Sequence, residues 1–152
     1  MVIIQAGEAD LKEILKLQYS AYQSEAQLLN NFDIQPLKQT YDEIKAEYFN
    51  GIFLKAIDEN DVIIGSVRAH IKNDTAFIGK LIVQPERQGQ GIGTKLLSAI
   101  ERDCPAGRYE LFTSDKSVRN IRFYERLGYV RFREQKISDS LTFIYLEKRN
   151  LK

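Results

Sequence analysis

A glycine-rich turn between a β-like run and a helix-like run is the feature that most limits how this chain can fold. The segment Gln84–Leu97, QPERQGQGIGTKLL, contains Gly89, Gly91 and Gly93 and directly follows the largely apolar run Ile78–Val83. A bare turn lets backbone N–H groups approach a ligand, and the following helix presents its positive dipole end at the same point. The segment therefore predicts a cradle for an anion such as phosphate; the alternative is a plain glycine turn that starts a helix.

Two common phosphate-binding motifs do not fit this spacing. The P-loop needs a lysine and then Ser or Thr after its last glycine, whereas Gly93 is followed by Thr94 and then Lys95. The dinucleotide motif needs G-x-G-x-x-G in a βαβ unit, whereas the chain has G-x-G-x-G after strands that are predicted to be antiparallel. Both motifs are therefore rejected.

Length and charge narrow the class of protein. The chain has 152 residues, 43% of them hydrophobic, which predicts one compact domain over residues 1–152. Its net charge of +1 argues against a nucleic-acid partner. Residues 1–79 contain 7 basic and 12 acidic side chains, and residues 80–136 contain 12 basic and 7 acidic ones. This asymmetry could attract a cationic and an anionic ligand to the same protein, or it is chance. The single cysteine, Cys104, and the lack of a leader or spanning segment predict a cytoplasmic protein with no membrane partner.

Turn residues and apolar spacing predict the element order β-α-α-β-β-β-α-β-α-β-β, with the three strands before the glycine turn forming an antiparallel meander. The last two strands are expected to form a hairpin across Ser138–Ser140. The predicted strands are Val2–Gln5, Ile52–Ile57, Val62–Ile71, Thr75–Val83, Arg108–Thr113, Tyr129–Ile137 and Leu141–Glu147.

Capping signals predict where the first two helices begin. Asp10 with Glu13, and Thr40 with Glu43, resemble capping boxes. The stretch between these helices, Asn30–Gln39, is predicted to be irregular. Helical spacing recurs at Leu96, Leu97, Ile100 and Cys104, which precede Pro105, and again at Val118, Ile121 and Leu127, which precede Gly128.

Two stretches resemble the GNAT superfamily of acyl-CoA-dependent N-acetyltransferases. Gln88–Gly93, QGQGIG, fits that family's Q/R-x-x-G-x-G/A signature, and Ser117–Tyr129, SVRNIRFYERLGY, resembles its second hallmark, in which Asn120 precedes Tyr124 by four residues. The element order agrees over essentially the whole chain. The resemblance implies an α+β fold of three α/β layers: a central mixed, mostly antiparallel, splayed sheet flanked by about four helices.

The same resemblance implies acetyl-CoA as the cosubstrate. Its pantetheine arm would run along Leu81, Ile82 and Val83, where the fourth and fifth strands separate, with Asn120 holding the arm and the Val83 N–H polarising the thioester carbonyl. Pro85 removes a donor near the point where pairing should end. The pyrophosphate would lie on the amides of Gln88, Gly89, Gln90, Gly91, Ile92, Gly93 and Thr94. Arg87, Lys95, Arg119 and Arg122 could meet the phosphates or simply form a solvated surface.

Acetyl transfer to an amine also needs a proton for the departing thiolate. The resemblance assigns that role to Tyr124, although an aromatic side chain there could instead only pack, a role that suits Phe123 better. Many relatives use a carboxylate base on the strand before the glycine turn, but Thr75–Val83 has none, and Lys80 takes an inward position. The candidate bases are Glu25, Tyr22, Asp33 and His70, unless the amine binds already deprotonated; we favour Glu25 and expect no metal site.

The acceptor is expected to lie over Tyr19–Gln39, with Tyr22 and Glu25 as its contacts, because the resemblance places the substrate there. This segment is rich in tyrosine, amide and carboxylate side chains, which suits a small primary amine. Two alternatives remain: transfer to a protein or peptide amine, and a non-catalytic acyl-CoA-binding regulatory module. The resemblance also leaves a homodimer open.

Overall fold

The computed structural model describes residues 1–150, in which seven strands form one sheet. The strands are β1 (Val2–Gln5), β2 (Ile52–Ile57), β3 (Ile63–Lys72), β4 (Thr75–Val83), β5 (Arg108–Ser114), β6 (Val130–Ser138) and β7 (Leu141–Arg149). Their order across the sheet is β1-β2-β3-β4-β5-β7-β6. The β4–β5 pair is parallel and the other five neighbouring pairs in this part of the chain are antiparallel, which confirms the predicted mixed sheet.

Helices cover both faces of this sheet. They are α1 (Leu11–Ala21), α2 (Gln23–Leu29), α3 (Gln35–Lys38), α4 (Tyr41–Phe49), α5 (Ile92–Asp103) and α6 (Val118–Arg126). Helices α1 and α4 pack around Phe53 on one face, and α5 packs Leu96 and Ile100 against Leu54 and Val67 on the other. No helix within residues 1–150 combines the length and the apolar character needed to cross a membrane.

The predicted order of the strands is confirmed, but four α-helices lie between β1 and β2 within residues 1–150, where two were predicted. Helix α2 was not predicted as a separate element. The stretch predicted to be irregular contains the short helix α3, which has Pro36 in its first turn, where a missing N–H costs nothing. The capping box predicted at Asp10 is wrong: Asp10 makes no side-chain cap to α1. Its carboxylate instead accepts from the Gly7 N–H at 2.8 Å and pairs with Lys55 at 2.9 Å.

The second predicted capping box is present at the start of α4. Thr40 Oγ1 accepts from the Glu43 N–H at 3.2 Å, and the Glu43 carboxylate accepts from the Thr40 N–H at 2.8 Å. We expect Thr40→Ala to lower the free energy of unfolding by about 1 kcal/mol, because a donor of the first turn loses its partner. Urea denaturation measures this loss. Thr40→Ser keeps the hydroxyl and is the control; equal losses in both variants would contradict the capping role.

The sheet splits between β4 and β5. Parallel pairing covers Thr75–Phe77 opposite Arg108–Glu110, and the two strands then separate. The separation therefore starts well before Pro85, so the prediction that Pro85 ends the pairing is wrong. On the other edge of β4, pairing with β3 continues to Val83, so the second half of β4 keeps one paired edge and turns the other toward an open cleft.

A β-bulge lies in this unpaired half of β4. Arg68 pairs with Gly79 and Ser66 with Ile82, so Lys80 and the residue after it together oppose a single residue of β3. Lys80 adopts φ +50°, in the left-handed region. A bulge bends its strand and re-aims side chains. The bend accompanies the divergence of β4 from β5.

Candidate active site

The gap between the strands opens into a cleft of about 1890 Å³. Its walls come from the second halves of β4 and β5, the glycine turn, and helices α2 and α6. The size exceeds a typical small-molecule pocket, which suits a long ligand together with a second, smaller one. Every candidate cofactor-binding and substrate residue predicted from the sequence lines this cleft except Gln90, Lys95 and Arg122.

The glycine turn forms an anion cradle at one end of the cleft. Gly89 and Gly91 have φ of +80° and +81°, a conformation that side chains disfavour, and a Cβ at either residue would meet open space. Within residues 1–150, the N–H groups of residues 89–94 find no acceptor, and α5 begins at Ile92. Free donors and the positive end of the helix dipole occur together at this turn, so the turn fits a phosphate or pyrophosphate.

The basic residues near the cradle differ in whether they can reach an anion bound in the cleft. Arg87 pairs with Asp58 at 3.1 Å. Hydrogen bonds from the Val62 and Asn60 N–H groups hold the pKa of the Asp58 carboxyl below its usual value, and the charge of Arg87 lowers this pKa further. Arg87 therefore fastens the loop before the cradle. Arg119 lines the cleft, whereas Lys95 and Arg122 do not.

Tyr124 and Asn120 lie one turn apart on α6 and both line the cleft. The Tyr124 ring packs edge-on against Phe123 and Tyr129. Its hydroxyl makes no hydrogen bond to another described residue. Burial raises the pKa of Tyr124 above its usual value, and the neighbouring Tyr22 and Glu25 raise it further. The phenol therefore keeps its proton, as a proton donor must.

The two predicted acceptor residues, Tyr22 directly before α2 and Glu25 within it, both line the cleft. Burial raises the pKa of Tyr22 to about 12; nearby Arg68 opposes this rise and Glu25 adds to it. Glu25 accepts a hydrogen bond from the buried Ser117 hydroxyl at 2.6 Å. Ser117 lies directly before α6, so this bond joins the acceptor side of the cleft to the helix that carries Tyr124. The position of Ser117 within the second hallmark, Ser117–Tyr129, is the sequence signal that could have identified it as a site residue.

The other two candidate bases lie in more open positions. Asp33 is exposed and pairs with Lys38 at 3.4 Å. His70 is also exposed, and its ring stacks on Phe77 with 5.2 Å between ring centroids. Both residues line the cleft, but neither contacts Tyr22, Glu25 or Tyr124 by hydrogen bond.

A buried polar cluster behind the acceptor side was missed by sequence reasoning. Arg68, only 4% exposed, donates to Gln18 at 2.8 Å, to Gln39 at 3.3 Å and to Glu47 at 3.1 Å. Gln39 also donates to Glu47. An arginine inside the apolar run of β3 is the signal that could have found this cluster, because a buried charge needs partners. The Arg68 guanidinium and Lys80 both border the cleft.

The comparisons with known proteins agree with this fold. The acetyltransferase (GNAT) family model matches residues 10–129, and the chain belongs to this family. No curated protein matches the chain by sequence.

Solved structures share the fold at low sequence identity. A GNAT-family acetyltransferase from Staphylococcus aureus Mu50 is 21% identical, with a TM-score of 0.79 and coverage of 97% of this chain and 98% of that one. The PaiA N-acetyltransferase from Thermoplasma acidophilum, in complex with coenzyme A, is 16% identical, with a TM-score of 0.77 over 99% and 100% of the two chains. A protein from Salmonella typhimurium, solved with its cofactor acetyl-CoA, is 21% identical, with a TM-score of 0.75 over 98% of this chain and 93% of that one.

Proposed function

We propose that this protein transfers the acetyl group of acetyl-CoA to the primary amine of a small molecule. The observation that carries the proposal is the common cleft: it has unpaired N–H donors at one end and a protonated tyrosine beside a fixed carboxylate further in. Family membership supports acetyl transfer, and two solved structures of the same fold hold coenzyme A or acetyl-CoA.

Acetyl-CoA binding is assigned to the cradle and to β4. The free N–H groups of residues 89–94 would hold the pyrophosphate. The unpaired edge of β4 at Leu81–Val83 offers main-chain donors and acceptors to the pantetheine arm, and Asn120, which lines the same cleft, would hold the arm. We assign the polarisation of the thioester carbonyl to the Val83 N–H, a role that any residue at this position could perform.

The transfer forms an N–C bond to the amine and breaks the C–S bond of the thioester. The amine must lose a proton and the leaving thiolate must gain one. Tyr124 protonates the leaving thiolate, since burial keeps its phenol protonated and its hydroxyl is free of other partners in residues 1–150. Glu25 binds the acceptor ammonium and accepts the proton that the amine loses. The Ser117 hydroxyl orients the Glu25 carboxylate.

This assignment predicts unequal effects at Glu25 and Ser117. Glu25→Gln removes the charge and should lower kcat/KM for the acceptor by about 30-fold, which is within the range of a lost hydrogen bond to the charged ammonium. Ser117→Ala leaves the carboxylate in place but unfixed, so a smaller loss is expected. Initial rates at varied acceptor concentration measure both. Gln27→Glu, a charge change on the exposed side of α2, is the control; wild-type kinetics in Glu25→Gln would remove Glu25 from the mechanism.

Thiol release on mixing the protein with acetyl-CoA and a panel of amines, polyamines and peptides tests the proposal. Turnover with small amines is expected. Turnover with peptides alone would favour a protein acceptor. Tight acetyl-CoA binding without any turnover would instead favour a regulatory module that binds acyl-CoA.

A further inference from the structure

The position of Lys80 in β4 is unusual for a lysine. Its φ of +50° lies in the left-handed region, which residues with a Cβ disfavour, and it lies at the bulge directly before Leu81–Val83. Left-handed residues other than glycine persist only where the surrounding structure enforces them, and they concentrate at ligand sites. The strained residue therefore lies beside the strand assigned to the acyl group.

The Lys80 side chain borders the cleft without an anionic partner. Among residues 1–150, its ammonium makes neither an ion pair nor a hydrogen bond. Glu47, the carboxylate whose charge acts on Lys80, is already bound to Arg68 and Gln39. Burial lowers the pKa of Lys80, and the Arg68 cation lowers it further. Two cations thus share one carboxylate at this side of the cleft, which leaves one positive charge to be compensated.

The opposite charge lies elsewhere in the same cleft. Glu25, on α2, and Lys80, on β4, both line this cleft. Glu25 is bound by the Ser117 hydroxyl, and neither Glu25 nor Lys80 has an ion-pair partner among residues 1–150. A ligand in the cleft would meet a carboxylate from one element and an ammonium from another.

We propose that the acceptor is an amine that also carries an acidic group, and that Lys80 binds this acidic group while Glu25 binds the ammonium. This inference rests on the proposed function, because it names the class of acceptor for the same site. The acidic group is a carboxylate or a phosphonate. Its binding would supply the anion that Lys80 lacks in the protein alone.

Matched acceptors test this inference. Glycine, aminomethylphosphonate and methylamine differ in the acidic group alone, and tyrosine with tyramine form a larger pair. For each acceptor, kcat/KM is measured by thiol release from acetyl-CoA in the wild-type protein and in Lys80→Met, Lys80→Arg and Lys16→Met. The measured quantity is the ratio of kcat/KM for the acidic acceptor to that for its plain amine. Comparing this ratio between variants cancels the difference in amine basicity.

The ratio is expected to fall at least about tenfold in Lys80→Met, mainly through a higher KM, because a charge-assisted bond is lost. Lys80→Arg should restore part of it. Lys16, an exposed lysine of α1 outside the cleft, is the matched control and should keep the wild-type ratio. A larger effect on glycine than on aminomethylphosphonate would identify carboxylate, and the reverse would identify phosphonate.

Two results would overturn the inference in distinguishable ways. If plain amines are acetylated and the ratio does not change in Lys80→Met, the acidic group is not bound by Lys80, while the proposed function stands. The same holds if Lys80→Met slows all acceptors equally, since that would make Lys80 a general participant in the reaction. If no amine of the panel releases thiol although acetyl-CoA binds, the proposed function itself fails and the inference fails with it.

Discussion

Gly91→Glu is expected to weaken coenzyme A binding by at least about 100-fold, which corresponds to about 2.7 kcal/mol. Gly91 has φ +81° at the N-terminal end of α5, and space is open around it. A glutamate there would strain the backbone, occupy the space assigned to the pyrophosphate, and place a negative charge where the free N–H groups select an anion. Isothermal titration calorimetry with coenzyme A measures the loss.

Gly128→Ala is the matched control for this variant. Gly128 has φ +97°, so the substitution imposes a similar backbone strain, but it lies outside the cleft and a Cβ there would only touch the flexible Lys148 side chain. We expect a lower melting temperature with unchanged coenzyme A affinity. Wild-type affinity in Gly91→Glu would mean that the pyrophosphate binds elsewhere.

Tyr124→Phe is expected to lower kcat by about 100-fold, at the low end of what a positioned general acid contributes. The variant removes the hydroxyl and keeps the ring contacts with Phe123 and Tyr129, so acetyl-CoA affinity should remain close to that of the wild type. Because the interaction is made in the transition state, kcat and kcat/KM should fall together. Steady-state kinetics and a coenzyme A titration separate the two quantities.

Tyr48→Phe provides the control, since the Tyr48 ring packs edge-on against Phe53 and Tyr48 itself does not line the cleft. The pH profile offers a second test. A proton donor fails when the pH rises above its pKa, and burial raises the pKa of Tyr124, so the loss of activity from its ionisation should fall above the ordinary tyrosine value of about 10. Unchanged kcat in Tyr124→Phe would leave Tyr124 with a packing role alone.

Local patterns predicted most of the elements. β-rich runs bounded by turn residues located all seven strands of residues 1–150 to within one or two residues, because the residues that end a strand act locally in the chain. The Thr40–Glu43 capping box was also found, since both of its bonds join residues three apart. The equivalent signal at Asp10 was misleading, because Lys55 from β2 and the Gly7 N–H compete for the same carboxylate.

The sequence by itself determined the family, the glycine turn and the helix that carries Asn120 and Tyr124, because each of these depends on residues close together in the chain. Only the tertiary structure decided where β4 leaves β5 and how Lys80 is turned at the bulge. The same is true of the Glu25–Ser117 bond, whose partners lie 92 residues apart, and of the buried partners of Arg68. Such contacts are set by how the two helical layers close on the sheet, and no local spacing encodes that geometry.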